Sequence, residues 1–440
     1  MFGGGDRIGN LAVTVAVLLM VGASCGQGNE TTIGTKPLGS IDIEPPSEIT
    51  TPGATVQFVA TVRDAAGNSM PDAPIAWSSS NPAVATVSTL GIVTGVQLGT
   101  ATVIAASQGA SREVTIEVRA AAPRSDNAMT PLIDMGGTRY LGFAGGLYPG
   151  GNAQPPGHMA EGIRRANSLT PRDAAGQPSL SGKILLLSIG MSNATQEWCS
   201  EPSTVPCEPW TFTGQALADP VVNKEQLVIV NGALAGQTYE EWSDPANSNW
   251  NRIRNTVLVP LGYTERQVAV VWLKDGSRSP TVSLPSQSAD AYTVMSQIGK
   301  IARIVKVRYP NMEILVLSGR TYGGYASTSL NPEPFAYETG LAVKWVVEAQ
   351  IRQIQGSGIE SHAVDLDYNT VAPWIGWSAY LWANGASPRS DGLQWLPSDV
   401  ENDGIHPSQT GETKVGLLLL DFFKTGFFTK CWFVAGGTCP

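Results

Sequence analysis

Histidine is scarce in this chain, with three among 440 residues, and so is cysteine, with five. No CxxC pair occurs, so the usual ligand spacing of a zinc centre is missing and no metal is expected. Lys and Arg never run longer than a pair, and 37 acidic against 28 basic residues leave a formal charge of -9. A nucleic-acid backbone is therefore not an expected partner. The apolar run from Leu11 to Val21 is too short to span a bilayer comfortably. Glycine pairs such as Gly136-Gly137, Gly145-Gly146 and Gly150-Gly151 lack the strand, the Lys-Ser/Thr ending and the helix of a phosphate cradle. No cofactor is expected.

What remains is a chain with 42 per cent apolar residues, long enough for two or three domains with a sizeable core. Residues 1–25 carry a lone Arg7, the apolar run and then Gly22-Ala-Ser-Cys25, the layout of a bacterial export signal. The small residues before Cys25 resemble a lipoprotein cleavage box, although Gly22 stands where that box has Leu or Val. Lipidation of Cys25 is the expectation, which makes the protein a surface lipoprotein or, failing that, a secreted one. Residues 26–38 are nearly free of apolar side chains and suit a tether. The other cysteines fall in two close pairs, Cys199 with Cys207 and Cys431 with Cys439, read as local disulfides of an exported protein.

Residues 39–120 alternate short apolar-periodic runs with turn residues. Between Thr55 and Val62 the side chains of Val56, Phe58, Ala60 and Val62 share one face, as in a strand with one buried side. Further strands are expected around Ile75 to Ser78, Ala85 to Ser88, Gly91 to Thr94 and Thr100 to Ala106. This spacing predicts a β-sandwich, with Trp77 in its core. Trp77-Ser-Ser-Ser-Asn-Pro82, Gly91-Ile-Val-Thr-Gly95 and Gly99-Thr-Ala-Thr102 resemble bacterial Ig-like domains of group 2. That resemblance implies a spacer or adhesive module of a surface protein. Residues 121–128 read as a linker, and the Gly/Pro-rich stretch 129–182 as an irregular cover on the domain that follows.

From Lys183 the pattern changes to strand and helix in alternation, which predicts a parallel sheet covered on both faces over 183–440. The run from Lys183 to Ile189 is apolar except for Ser188 and ends in Gly190-Met-Ser192-Asn193, so it reads as a buried central strand delivering a serine. Further strands are expected at Leu227 to Val230, Gln267 to Leu273, Ile314 to Leu317 and Ala363 to Leu366. Ala291, Val294, Met295, Ile298, Ile301, Ala302 and Val305 fall on one helical face, and Tyr337 to Ile354 and Gln409 to Phe423 are further helices. Ligands of such sheets bind at the carboxyl ends of the strands, where Ser192 would lie. By itself Ser192 reads as a cap for the next helix rather than as a nucleophile.

Asp403-Gly-Ile-His406 precedes the last helix. An aspartate three residues before a histidine can accept its Nδ1 proton and leave Nε2 free as a base. Taken with Ser192, this arrangement resembles the SGNH (GDSL-like) hydrolase family over residues 183–424. The match rests on Gly190-Met-Ser192-Asn193, on Asn231-Gly-Ala-Leu-Ala-Gly236-Gln-Thr238 and on Asp403-Gly-Ile-His406. It implies a three-layer flavodoxin-like α/β fold behind the all-β Ig-like sandwich. It also implies Ser192 as nucleophile, His406 as base, Asp403 as orienting acid, and the backbone amides of Ser192 and Gly236 in the oxyanion hole. Where the family has an oxyanion asparagine, this chain reads Trp272-Leu-Lys274-Asp-Gly276, so Lys274 is expected to stabilise the oxyanion as a cation. The family's Gly-Asp-Ser also becomes Gly-Met-Ser here.

Asn193, Gln196, Glu197, Trp198, Gln237 and Arg320 are candidate substrate contacts, because they follow the first, second and fourth strands closely. His362, with Asp365 and Asp367, is expected on a strand and His158 has no evident partner; neither is read as a site. The implied activity is that of a surface-anchored or secreted serine esterase, with an acylated carbohydrate or other small ester as substrate. The alternative is a catalytically weakened or inactive relative that binds a surface glycan.

Overall fold

A computed structural model of the chain describes residues 38–440 except 45–47, 51, 53–54, 72, 120–128 and 201–205. The export signal with Cys25, the tether as far as Pro37 and the linker 121–128 lie outside the described residues.

The amino-terminal region is built from strands that pair antiparallel, except for Glu48–Thr50, which runs parallel to Ala110–Val118, around one apolar cluster that includes Ile41, Phe58, Val62, Val93, Val103 and Ile116. The strand expected over Thr55 to Val62 is two strands. Thr55–Gln57 pairs with Ile92–Gly95, whereas Val59–Asp64 pairs with Leu38–Glu44. The break falls at buried Phe58, whose amide donates to the Gly91 carbonyl at 2.9 Å. The expected face survives, because Phe58 and Val62 are buried while Val56 and Ala60 pack at the cluster's edge. Gly99–Ser107 and Ala110–Val118 form the longest ladder. Trp77 packs against this core, its ring 6.4 Å from that of Phe58.

The carboxy-terminal region holds five strands, Ile184–Ile189 (β1), Leu227–Asn231 (β2), Val268–Lys274 (β3), Ile314–Ser318 (β4) and Trp374–Trp377 (β5). They run parallel in the order β2-β1-β3-β4-β5. Every residue of β1, β3, β4 and β5 is buried, as a sheet covered on both faces requires. Alternation along β1 sorts its side chains between two cores. Leu185, Leu187 and Ile189 face Asp290–Arg308 (α4) and Phe335–Ile354 (α5), while Ile184 and Leu186 share the other core with Ser192–Trp198 (α2), Phe212–Ala218 (α3) and Gln409–Thr425 (α6). All seven residues of the expected α4 face are buried. Ser188, the one polar residue of β1, donates to Asn231 Oδ1 at 2.8 Å and so joins the ends of β1 and β2.

Two expectations are corrected here. Ala363 to Leu366 is not a strand: Val364 has φ +62°, Asp365 and Asp367 accept from the amides two residues on, and Arg303 grips the carbonyls of Ala363 and Asp365. The fifth strand is the tryptophan-rich Trp374–Trp377 instead. His362 accordingly lies on a turn, stacked on Tyr292 and paired with Glu360. The Gly/Pro-rich stretch is also more ordered than expected, since Pro156–Ser168 forms a helix (α1) started by proline and supported by an Arg165–Glu161 pair at 2.7 Å. Gly162 lets α1 press on β5, because a Cβ there would lie 2.6 Å from the Trp374 ring. His158 on α1 stacks on Trp374 and contacts the Ile375 carbonyl at 2.9 Å. Burial pulls it down to about 4, so it is a neutral packing residue.

Several bonds fasten the rest of the 129–182 stretch, among them the Leu132 amide donating to Tyr380 Oη at 3.1 Å and Tyr337 Oη to the Thr130 carbonyl at 2.8 Å, and one of them runs to Glu338 of α5. Its carboxylate accepts from Tyr140 Oη at 3.0 Å and from the Leu284 amide at 3.0 and 3.1 Å. Burial pushes Glu338 up to about 7, against the pull of those donors. The folded chain thus holds a proton that the unfolded chain releases near pH 4.5, so this group's contribution to stability falls as pH rises from 4.5 to about 7. Denaturant unfolding of wild type and Glu338→Gln across that range is expected to give a difference with this slope.

Candidate active site

The order β2-β1-β3 reverses direction at β1, and chain crossings leave a crevice beyond the carboxyl ends of strands at such a point. Gly190 and Ser192 stand there. Gly190 has φ +152°, and a Cβ on it would fall 1.9 Å from the Lys274 carbonyl, so glycine is what allows the β1 and β3 ends to meet. Ser192 is the first residue of α2, and its Oγ lies 2.8 Å from His406 Nε2.

The other imidazole nitrogen, Nδ1, is hydrogen-bonded to Asp403 Oδ2. Asp403 Oδ1 accepts from the amides of Ile405 and His406 at 2.9 and 3.0 Å, so the carboxylate is folded back onto its own loop. Burial pushes Asp403 up, but the hydrogen bond and charge of His406 and the two amides outweigh it and leave the group at about 2. An ionised carboxylate only accepts, so Nδ1 carries the proton and Nε2 presents a lone pair to the Ser192 hydroxyl. Asp403 therefore stabilises the fold fully above its unfolded value of 3.8, and that stabilisation is lost as pH falls toward 2. The stability difference between wild type and Asp403→Asn is expected to be flat above about pH 4 and to shrink below it.

Neighbouring elements pin the loop. The amide and Oγ of Ser327 both donate to the Asp403 carbonyl, at 2.9 and 3.0 Å, and the Glu401 amide donates to the His406 carbonyl at 2.8 Å. Ser408 caps α6 two residues after His406. Nothing in the sequence around Ser327 points to Asp403, because the contact spans two loops.

The turn carrying Gly236 is fixed from both sides. The Leu234 amide donates to the Gly190 carbonyl at 3.0 Å, and the Tyr239 amide to the Gly276 carbonyl at 3.3 Å. Gly236 itself is exposed with φ +73°, and Arg278 holds its carbonyl at 2.9 Å. Thus the segment stands beside the end of β1.

Lys274 is placed otherwise than expected. Its side chain is wholly buried, and Nζ donates to both oxygens of Glu197 at 2.5 and 2.6 Å, turned toward α2. The pair is dry. Burial pulls Lys274 down to about 8 and pushes Glu197 up, each against the attraction of its partner. The expected oxyanion cation is thus corrected to a buried tie between β3 and α2.

Most expected substrate contacts are inside the protein. Glu197 belongs to that tie, Trp198 stacks on Trp272 at 4.9 Å, and Asn193 and Arg320 are buried and bonded to each other at 3.2 Å. Gln237 accepts through Oε1 from Asn249 and is half-buried. Gln196 is half-buried, with no partner for its Oε1 among the described residues. Disulfides close Cys199–Cys207, with Cα atoms 4.5 Å apart, and Cys431–Cys439, at 4.9 Å. Among the described residues no cluster of three or more His, Cys, Asp or Glu is placed to hold a metal ion, and no helix is long and apolar enough to cross a membrane.

Residues 37–118 match the family model of the bacterial Ig-like domain (group 2). The amino-terminal region is an Ig-like domain. No curated protein sequence matches the chain. Among solved structures, domains 5–6 of the S-layer protein SbsC are similar at 22 per cent identity and a TM-score of 0.19, over 21 per cent of this chain and 53 per cent of that one. This chain thus spans about half the length of that structure. A carbohydrate esterase family 2 enzyme with a carbohydrate-binding domain, from Corynascus thermopiles (Myceliophthora fergusii), is similar at 12 per cent identity and a TM-score of 0.31, over 56 and 67 per cent of the two chains. The extracellular lipase of Streptomyces rimosus is similar at 14 per cent identity and a TM-score of 0.28, over 54 and 98 per cent.

Proposed function

We propose that residues 183–440 are a serine esterase of the SGNH type on a flavodoxin-like sheet, carried outside the cell behind the Ig-like domain. One observation carries this reading: Ser192, His406 and Asp403 form a single hydrogen-bonded chain at the switch point of a parallel sheet. His406 Nε2 takes the Ser192 proton as Oγ attacks the ester carbonyl, and Asp403 stabilises the imidazolium that results. The developing oxyanion rests on the backbone amides of Ser192, at the start of α2, and of Gly236. His406 then returns its proton to the leaving alcohol. Water, deprotonated by the same nitrogen, releases the acid and frees Ser192. Lys274 takes no part in charge stabilisation. The two disulfides suit an oxidising compartment outside the cytoplasm, and an acylated carbohydrate is the substrate class favoured by the adhesive type of the first domain. Lipidation of Cys25 would hold the protein at the surface.

A serine-directed fluorophosphonate tests the reading. Wild type is expected to label stoichiometrically at Ser192 and to cleave a nitrophenyl acetate, with His406→Ala losing both. Glycan binding without labelling or turnover would replace the esterase by a binding protein that uses the same cleft.

A further inference from the structure

We infer that Asn193 is a positioning residue that seats His406 against the nucleophile, with Arg320 as its anchor; this rests on the esterase reading of Ser192 and His406. Two neighbouring residues of α2 meet two neighbouring residues of the histidine loop. Ser192 Oγ contacts His406 Nε2 at 2.8 Å, and Asn193 Nδ2 donates to the Ile405 carbonyl at 2.7 Å. The second contact is the one that does not depend on chemistry. It stays in place when Ser192 gives up its proton, and it fixes the loop one peptide from the imidazole.

The amide of Asn193 is engaged at both ends. Its Oδ1 accepts from Arg320 Nη1 at 3.2 Å, which sets the amide so that Nδ2 points at Ile405. Arg320 lies two residues after the end of β4, so the chain of contacts runs from the sheet's carboxyl edge through Asn193 into the loop. Asn193 and Arg320 are 1 and 2 per cent exposed, and hydrogen bonds in such dry surroundings resist exchange with water. Asp403, on the far side of the loop, is held through its carbonyl by Ser327. His406 is therefore clamped between two braces, one on each side of the Asp403–His406 segment. Asn193 is a residue that the substrate never meets.

Misplacing a base by about 1 Å costs roughly 100-fold in rate, so Asn193→Ala is expected to lower kcat about 100-fold with KM little changed. Asn193→Asp keeps the shape and the acceptor for Arg320 but loses the donor to Ile405, and is expected to fall as far. A wild-type kcat in Asn193→Asp overturns the inference, because the bond to Ile405 would then do nothing. Should Asn193→Ala fail to fold, Asn193→Asp carries the test, since it fills the same volume. A readout independent of turnover is the downfield proton NMR signal of His406 Nδ1. It is expected to persist in Ser192→Ala and to shift or broaden in Asn193→Ala; no change in Asn193→Ala would count against the brace. If wild type neither cleaves esters nor labels while that signal still responds to Asn193, the esterase reading fails and the brace stands.

Discussion

Ser192→Ala and His406→Ala are each expected to lower kcat on a short-chain nitrophenyl ester by about 10⁶-fold, and the double variant by no more than either single one. The size follows from shared work. Without Nε2 the hydroxyl of Ser192 keeps its proton and is a poor nucleophile; without Oγ the imidazole has nothing to activate. Each deletion thus removes the same step, and the second finds nothing left to remove. Initial rates of the three variants measure this, with melting curves to show that they fold. Additive losses, or rates equal to wild type, would mean that the two groups do not act together.

The second large effect falls on stability. Lys274→Met leaves the Glu197 carboxylate buried without its bonded cation, and Glu197→Gln leaves the Lys274 ammonium without its bonded anion. Removing one partner of a buried pair costs about 3–5 kcal/mol. The double replacement Lys274→Met with Glu197→Leu removes both charges of the pair and is expected to recover most of the loss. Urea unfolding of the single and double variants reads this directly. Were Lys274 instead a charge stabiliser for the reaction, Lys274→Met would keep its stability and lose kcat.

Parts of this molecule are legible in its sequence because they are local. Ser192 ends an apolar run, and Asp403 and His406 sit three residues apart, so one glance at each segment carries its chemistry. The α4 face is legible for the same reason, since a helix repeats its pattern within its own length. What escaped depends on which way a side chain turns at the end of an element. Lys274 follows Leu273 on a strand whose alternate residues face different cores, and that alternation sends it to Glu197 on α2. Asn193 and Arg320 look like rim residues by their place after strands, yet each turns inward to meet the other. Trp374–Trp377 carries no strand signal, because tryptophan and glycine in four residues give no period, whereas the apolar Ala363, Val364 and Leu366 fall in irregular chain.

Ser192 and His406 are 214 residues apart, and the helix after His406 is the last long one. A polypeptide still being made or threaded through a translocation channel therefore carries its serine without a base. A contact of such long range cannot form before the intervening chain has been made. The proposed esterase is silent until its final helix has arrived, so an unfinished chain cannot attack esters in the cell that makes it.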